Sequence, residues 1–401
     1  MTGATDIGTD AGTDAALTGL KVLDLGRLGP PAMASMYLAD FGADVVTVTA
    51  ERVDDPGPPP ADIWSFEAQV RLITRALNRN KRSVAVNLRD PARRDAFLEM
   101  ARDADVVIED FRAGTAERLG IGYETLSRIN PRLVYCAMSG YGAGSPMGDQ
   151  GGHDLNFIAK AGLLDLIGPR ADAPPVIPLM FLSDFGAAAM HALSGILIAL
   201  LARGRTGRGQ FIDLAFLDTT LGLANPLAFH LLNGGAALTR GALLYSGSYP
   251  HYALYPAKDG RYLSVGCVEP WLWARFCAEI GLPQHAEADL MDPKTAEAVQ
   301  AEVAEVLRGD TADAWEARLG PKGLCVTAVQ TMSEMLASDQ ARARALIGET
   351  RHPAFGTERH LVNPISLSAT PATLRRAAPL PGADTPADAP SLPAHVKETD
   401  R

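Results

Sequence analysis

Cysteine is scarce in this chain, with 4 in 401 residues. Cys136, Cys267, Cys277 and Cys325 stand far apart without metal-ligand spacing. That excludes a disulfide framework and a cysteine-built metal centre, and it suits free thiols in a reducing, cytoplasmic setting. No metal site is expected. Positive charge is also short: 37 Lys and Arg face 47 Asp and Glu, a formal net charge of −10. A broadly basic face for nucleic acid is therefore excluded, though a local basic patch for a polyanionic ligand is not. The glycines after the first apolar stretch, Gly26 and Gly29, lack GxGxxG spacing, and no dinucleotide fingerprint follows them. The N-terminal segment lacks the charged-then-apolar build of a signal peptide. One run, Phe185 to Ala202, is long and apolar enough to suggest a membrane span. Its small residues, its histidine (His191) and the strand text that follows favour a buried helix and no membrane.

What is present is a βα alternation. Apolar strands are expected at Val22–Leu25, Asp44–Thr49, Asp105–Ile108, Leu133–Met138 and Gln210–Leu214. Helices are expected between them, including Ala32–Phe41, Pro91–Arg102 and Tyr123–Ile129. This spacing predicts an α/β fold with a Rossmann-like parallel sheet in a large domain, 17–224. A smaller α+β domain, 225–340, follows. A helix at Phe216–Leu232 leads into it. Its hairpin turns at Lys258-Asp259-Gly260, and helices follow at Trp271–Ile280, Pro293–Leu307 and Thr311–Leu319. Residues 1–16 read as a disordered leader and 386–401 as a tail. Asp54 to Ala61 reads as a Pro-rich surface loop.

Candidate chemistry centres on Gly151 to Asp184. His153 follows two glycines, and a neutral-range imidazole serves as acid or base with little tuning. Ser183 and Asp184 stand where an N-cap belongs, before the long apolar helix. On residue type alone, His153 reads as a capping or surface histidine and Asp184 as a cap. Arg71, Arg75, Arg79, Lys81 and Arg82 cluster in an otherwise acidic chain, as a solvated helix face or a cradle for phosphates.

Many blocks together carry a resemblance. They include LKVLDLG (Leu20 to Gly26), LADFGADVV (Leu38 to Val46), NKRSVAVNL (Asn80 to Leu88) and ADVVIEDFRAGTAERLG (Ala104 to Gly120). NPRLVYCAMSGYG (Asn130 to Gly142), GHDLNF (Gly152 to Phe157), SDFG (Ser183 to Gly186), TGRGQFIDLAFLD (Thr206 to Asp218) and DGRYLSVGCVEP (Asp259 to Pro270) follow in order. The chain resembles the class III CoA-transferase superfamily (CaiB/BaiF type), and within it the α-methylacyl-CoA racemases, from about Leu17 to Thr385.

The resemblance implies that residues 341–385 return to the large domain and that two subunits interlock as a homodimer. It implies an acyl-CoA thioester substrate, with coenzyme A part of the substrate and no tightly bound cofactor. His153 and Asp184 would be the two proton-transfer residues, with Glu269 nearby, orienting His153 or only capping its helix. Coenzyme A would lie near Val86, Asn87, Leu88, Arg89, Phe111, Arg112 and Arg118, and along Gly152, Asp154, Leu155, Asn156 and Phe157. Backbone N–H groups near Asp184 and Phe185 would help hold an enolate oxygen. Asp184 would need burial to lift its pKa.

The chain departs from the racemase pattern at several places. Ala50 stands where an arginine is common, with Arg52 two positions on. Met180 and Phe157 replace Asn and Tyr, and Tyr245-Ser246-Gly247-Ser248 replaces an Asp-Gly-Gly loop. A more apolar acyl pocket is the expectation. The rival chemistry is CoA transfer, with Asp184 as nucleophile and no need of His153. A CoA-binding protein without catalysis is a further alternative.

Overall fold

The computed structural model describes residues 15–27, 29–50 and 65–386. The leader up to residue 14, the Pro-rich loop with Arg52, and the tail from 387 lie outside the described residues. By its contacts the chain divides into two units. The first comprises the chain up to Ile158, Met180–Leu223 and everything from Ala341; the second is Ala159–Leu179 with Ala224–Gln340. The stretch Ala159–Leu179, read from sequence as part of the large domain, thus packs with the smaller unit. Arg240 of that unit holds it, donating to Asp165 Oδ1 (3.0 Å) and to the Arg170 carbonyl (3.0 Å).

The first unit is built on strands β1 (Lys21–Asp24), β2 (Asp44–Thr49), β3 (Arg82–Ala85), β4 (Val106–Glu109), β5 (Val134–Ser139) and β6 (Phe211–Ala215). They form one parallel sheet in the order β3-β2-β1-β4-β5-β6. Apolar runs such as Val106–Ile108 and Val134–Cys136 are buried on both faces, as covered parallel strands require. Around the sheet stand α1 (Gly29–Asp40), α2 (Phe66–Leu77), α3 (Pro91–Arg102), α4 (Thr115–Arg118), α5 (Tyr123–Ile129) and α6 (Asp154–Lys160). A π-helical stretch, Leu182–Ala189, runs into α7 (Met190–Thr206), and α8 (Phe216–Leu223) follows β6. The strand order reverses between β1 and β4, so the ligand crevice of such a sheet lies beyond their carboxyl ends. There the Arg27 N–H donates to both Asp110 carboxylate oxygens (3.0 and 3.1 Å), and its guanidinium lies 5.5 Å from the Phe111 ring centre.

Two helices differ from their sequence expectation. Phe185–Ala202 is not buried throughout: Ala192, Ile196 and Ala199 are buried, but Ile198 and Leu201 face outward. The helix expected over Phe216–Leu232 is broken at Ala224, because Pro226 lacks the N–H that would continue the ladder, and α9 (Asn225–Leu232) starts anew.

In the second unit, β7 (Tyr252–Pro256) and β8 (Tyr262–Gly266) form the expected antiparallel hairpin. After them come α10 (Pro270–Glu279), α11 (Pro293–Leu307) and α12 (Ala312–Leu319), and β9 (Val326–Ala328) joins the edge of β8. Trp273, Phe276, Val303, Leu307, Trp315 and Leu319 fill the core between helices and sheet. After Ala341 the chain rejoins the first unit, where β10 (Ile347–His352) and β11 (Gly356–Leu361) pair as a hairpin. It then runs beside β3, with Ala85 N–H donating to Thr385 Oγ1 (2.8 Å) and Gly382 N–H to Ser83 Oγ (2.9 Å).

Candidate active site

The basic cluster between residues 71 and 82 does not form a phosphate cradle. Arg79 makes a paired contact with the buried Asp40 carboxylate (Nη2 2.7 Å, Nε 3.1 Å), and Asn80 donates to the same group (2.8 Å). Lys81 is fully buried; its ammonium donates to Asp24 (3.2 Å), Ser35 Oγ (2.7 Å), the Ala32 carbonyl (2.9 Å) and Asn78 Oδ1 (2.8 Å). Arg82 pairs with Asp44 (2.6 Å), Arg75 pairs with Glu358 and lies over the Phe355 ring, and Arg71 is engaged as well. A buried charge must be partnered, and here Arg79 and Lys81 neutralise the buried acids Asp40 and Asp24, while Arg82 and Asp44 form a surface pair. The cations left for a polyanion follow β3 and β4. Arg89 and Arg112 are exposed, and no side-chain hydrogen bond or ion pair among the described residues engages either one. Arg118 is also exposed, donating to Thr115 Oγ1 (2.7 Å). A Cβ on Gly151 would stand 3.9 Å from Arg112 Nη2, so this guanidinium lies beside the glycines that lead to His153. Val86 is buried, Asn87 and Leu88 are partly so, and Phe111 is half-buried.

His153 caps α6 with its backbone. Its carbonyl accepts from the N–H of Asn156 (2.8 Å) and Phe157 (3.2 Å), and Asn156 Oδ1 accepts the His153 N–H in return (3.0 Å). This reciprocal first turn fixes the residue while leaving the imidazole exposed and, among the described residues, without a hydrogen bond. The next residue, Asp154, is buried. Its Oδ1 accepts the N–H groups of both Ser183 and Asp184 (2.8 Å each). One peptide link, one short side chain and one hydrogen bond therefore join His153 to Asp184.

Asp184 is not an N-cap. The π-helical stretch starts at Leu182, and Asp154 supplies from outside the carboxylate that satisfies its free N–H groups. Two expectations change as a result. The Asp184 N–H is occupied and cannot hold an enolate oxygen, and no capping bond stabilises the Asp184 anion. Its Oδ1 is buried without a hydrogen-bond partner among the described residues. Burial, then the negative charge of Asp154, push this carboxyl from its usual 3.8 to about 7. Ser183 is anchored beneath it: its hydroxyl meets Thr220 Oγ1 at 2.7 Å, and Thr220 in turn donates to the Phe216 carbonyl (2.6 Å).

Phe157 is a core residue and does not line an acyl cavity. Its ring lies against Tyr141 (5.3 Å between centres) and Phe216 (5.1 Å), and a Cβ on Gly152 would be 2.6 Å from it. Gly152 is half-buried, while Leu155 and Asn156 face outward. Glu109, which the sequence reading passed over, is buried at the end of β4 and pushed up to about 7, first by burial. Its Oε2 accepts the Phe111 N–H (2.6 Å) and so shapes the loop that carries Arg112. An acid closing an apolar strand, in Val-Val-Ile-Glu, was the available signal. Glu269 occupies the N-cap position of α10 in the second unit, yet its side chain makes no capping hydrogen bond. In the same unit Tyr245, Ser246 and Gly247 border an open cavity of about 530 Å³ with Tyr252, Ser264, Cys325 and Thr327. No cluster of metal-ligating side chains occurs among the described residues.

The family profile described as CoA-transferase family III matches residues 17–385. Human alpha-methylacyl-CoA racemase is 32% identical over 329 residues, covering 82% of this chain and 81% of the relative. Mouse succinyl-CoA:glutarate CoA-transferase is 30% identical over 350 residues, covering 85% and 78%. The crystal structure of a CAIB/BAIF family protein from Brucella suis superposes with a TM-score of 0.78 at 27% identity, covering 92% of this chain and 97% of that one.

Proposed function

Because the chain belongs to CoA-transferase family III, we propose that it epimerises a 2-methylacyl-CoA, or a related α-branched acyl-CoA, by 1,1-proton transfer. Coenzyme A enters as part of the thioester substrate. The observation that carries this reading is the Asp184 carboxyl, with an unpartnered buried oxygen, a pKa near 7, and His153 one residue from its anchor. A group half-protonated at neutral pH gives and takes a proton with equal ease, which inversion in both directions demands. In our assignment His153 removes the α-proton of one enantiomer and an enolate forms. Asp184 then delivers a proton to the opposite face, and the other enantiomer follows the reverse route. Arg89, Arg112 and Arg118 meet the phosphates of coenzyme A.

CoA transfer is the second reading, favoured by the relatives named CoA-transferases. There the Asp184 carboxylate attacks the thioester, and His153 has no task. Heavy water separates the two. One pure enantiomer of a 2-methylacyl-CoA, with no acceptor acid, is expected to gain α-deuterium and lose optical purity, and His153→Ala is expected to abolish both. No exchange, together with a thioester trapped on Asp184 and transfer to an added carboxylic acid, would establish the rival. We further propose an intertwined homodimer in the cytoplasm. It would cover exposed Ile198 and Leu201 of α7 and Phe229 and Leu232 of α9, and the four unpaired cysteines suit a reducing compartment.

A further inference from the structure

Phe185, next in sequence to the working carboxyl, rests on bare backbone. A Cβ built on Gly29, the first residue of α1, would stand 2.7 Å from Phe185 Cζ and 2.8 Å from its Cε1. Side-chain carbons do not approach so closely, so any residue but glycine at 29 must displace the ring. The platform under the ring cannot retreat. The buried Asp24 carboxylate accepts the Gly26 N–H (2.9 Å), the Ser35 hydroxyl (2.5 Å) and Lys81 Nζ (3.2 Å), and Lys81 also donates to the Ala32 carbonyl in the first turn of α1. In the same π-helical turn, a Cβ on Gly186 would lie 2.9 Å from the Phe181 carbonyl oxygen, so the backbone there is closely wound. The Phe181 ring centre lies 5.9 Å from that of Phe185. The ring is partly buried between α1 and Phe181, so a methyl group at 29 must push it aside, and the shift is passed to the turn that carries Asp184. π-Helical turns recur at functional sites, and this one carries the carboxyl in its first turn.

We propose that Gly29 and Phe185 form a positioning pair, in which the missing side chain at 29 sets where the π-helical turn presents the Asp184 carboxylate. This rests on the reading of Asp184 as the working carboxyl. Neither residue need touch substrate.

Gly29→Ala, Phe185→Leu and the double variant test it, with α-proton exchange as the assay and melting temperature against pH as a second readout. Misplacing a reacting group by about 1 Å costs on the order of a hundredfold. Gly29→Ala is therefore expected to lower kcat by about that factor, with KM for the acyl-CoA nearly unchanged. A leucine side chain at position 185 is smaller than the ring and makes room for the methyl group at position 29. The double variant is therefore expected to regain roughly tenfold or more of the loss. A role in packing alone would lower the yield of folded protein but leave kcat per folded site intact. The proposal is overturned if Gly29→Ala keeps kcat within about threefold of wild type, or if the double variant is no better than Gly29→Ala. Should Gly29→Ala fail to fold, Phe185→Leu decides: a kcat loss at constant KM supports the pair, and an unchanged kcat sinks it. Wild-type protein showing neither exchange nor acyl transfer would refute the functional reading instead. The melting readout then judges the pair alone, because a shifted turn changes how far Asp184 is buried. The Asp184-dependent change in melting temperature between pH 5 and 8 is expected to shrink in Gly29→Ala and return in the double variant; an unchanged profile in all three overturns the pair.

Discussion

Replacing Asp184 by asparagine is expected to stabilise the fold at alkaline pH while abolishing catalysis. The free carboxyl titrates near 3.8 and the folded one near 7. Between those values the native state holds a proton that the unfolded state has released. Stability therefore falls as pH rises from about 4 to about 7, and the deficit is complete above 7. At about 1.4 kcal/mol per pKa unit the ceiling is about 4 kcal/mol, and partial exposure of the group trims this to roughly 2–3 kcal/mol. The amide of the Asp184→Asn variant has no charge to desolvate and no repulsion from Asp154, so it escapes that penalty. For a domain of this size each kcal/mol moves Tm by about 2–4 °C, so the variant should melt roughly 4–12 °C higher than wild type at pH 8. At pH 4.5, where the wild-type carboxyl is already protonated in the folded state, the advantage should fall to about a quarter of its value at pH 8. Glu109 is also raised to about 7, but it is present in both proteins and its slope cancels in the comparison. Melting followed by circular dichroism across that pH range is the assay. An advantage that is constant with pH, or a variant less stable at pH 8, would refute the burial argument.

Four more outcomes follow from the same geometry. Asp154→Asn keeps an acceptor for the Ser183 and Asp184 N–H groups but removes a charge, so the Asp184 limb of the pH–rate profile should move to lower pH. An unmoved limb would show that Asp154 acts only as a backbone acceptor. Arg112→Ala should raise KM for the acyl-CoA roughly tenfold or more with kcat little changed, and added salt should narrow the difference; steady-state kinetics at two ionic strengths reads both. Glu109→Gln should lose the acceptor charge that holds the Phe111 N–H, raising KM more than it lowers kcat. Lys81→Met leaves Asp24 buried without its cation and should cost about 3–5 kcal/mol, visible as a large drop in Tm.

The parallel sheet was legible because its strands are short apolar runs separated by helical periods and capped by recognisable residues. Helix α3 starts at Pro91 and ends at Arg102, where the sequence placed it, and the Asp90 side chain caps it. What sequence could not separate was charge used inside the protein from charge offered to a ligand. Arg79, Lys81 and Arg82 look alike in a string of letters, yet their partners Asp40, Asp24 and Asp44 lie about 40 to 60 residues upstream. Phe157 misled for the same reason. Its aromatic neighbours Tyr141 and Phe216 come from separate segments, and only packing shows the ring to be enclosed. Ser183 and Asp184 looked like a cap because Ser and Asp before an apolar run usually are one. The acceptor that does the capping is Asp154, on a different helix.

That exchange of roles has a chemical consequence. A carboxylate at a helix start is ordinarily stabilised as an anion by the free N–H groups it accepts, which lowers its pKa. Here those N–H groups are given to Asp154, and Asp184 is left partly buried with one unpartnered oxygen in the field of a second negative charge. The helix terminus is satisfied by one acid so that the other is not stabilised as an anion. Two acids thus divide the work that one usually does. Asp154 answers the backbone, and Asp184 is held near neutral pKa, where a proton can be accepted or returned at similar cost. Swapping the charge between them should therefore not be neutral. Asp154→Asn lowers the basicity of Asp184 at unchanged geometry, and Asp184→Asn removes the proton carrier at gained stability.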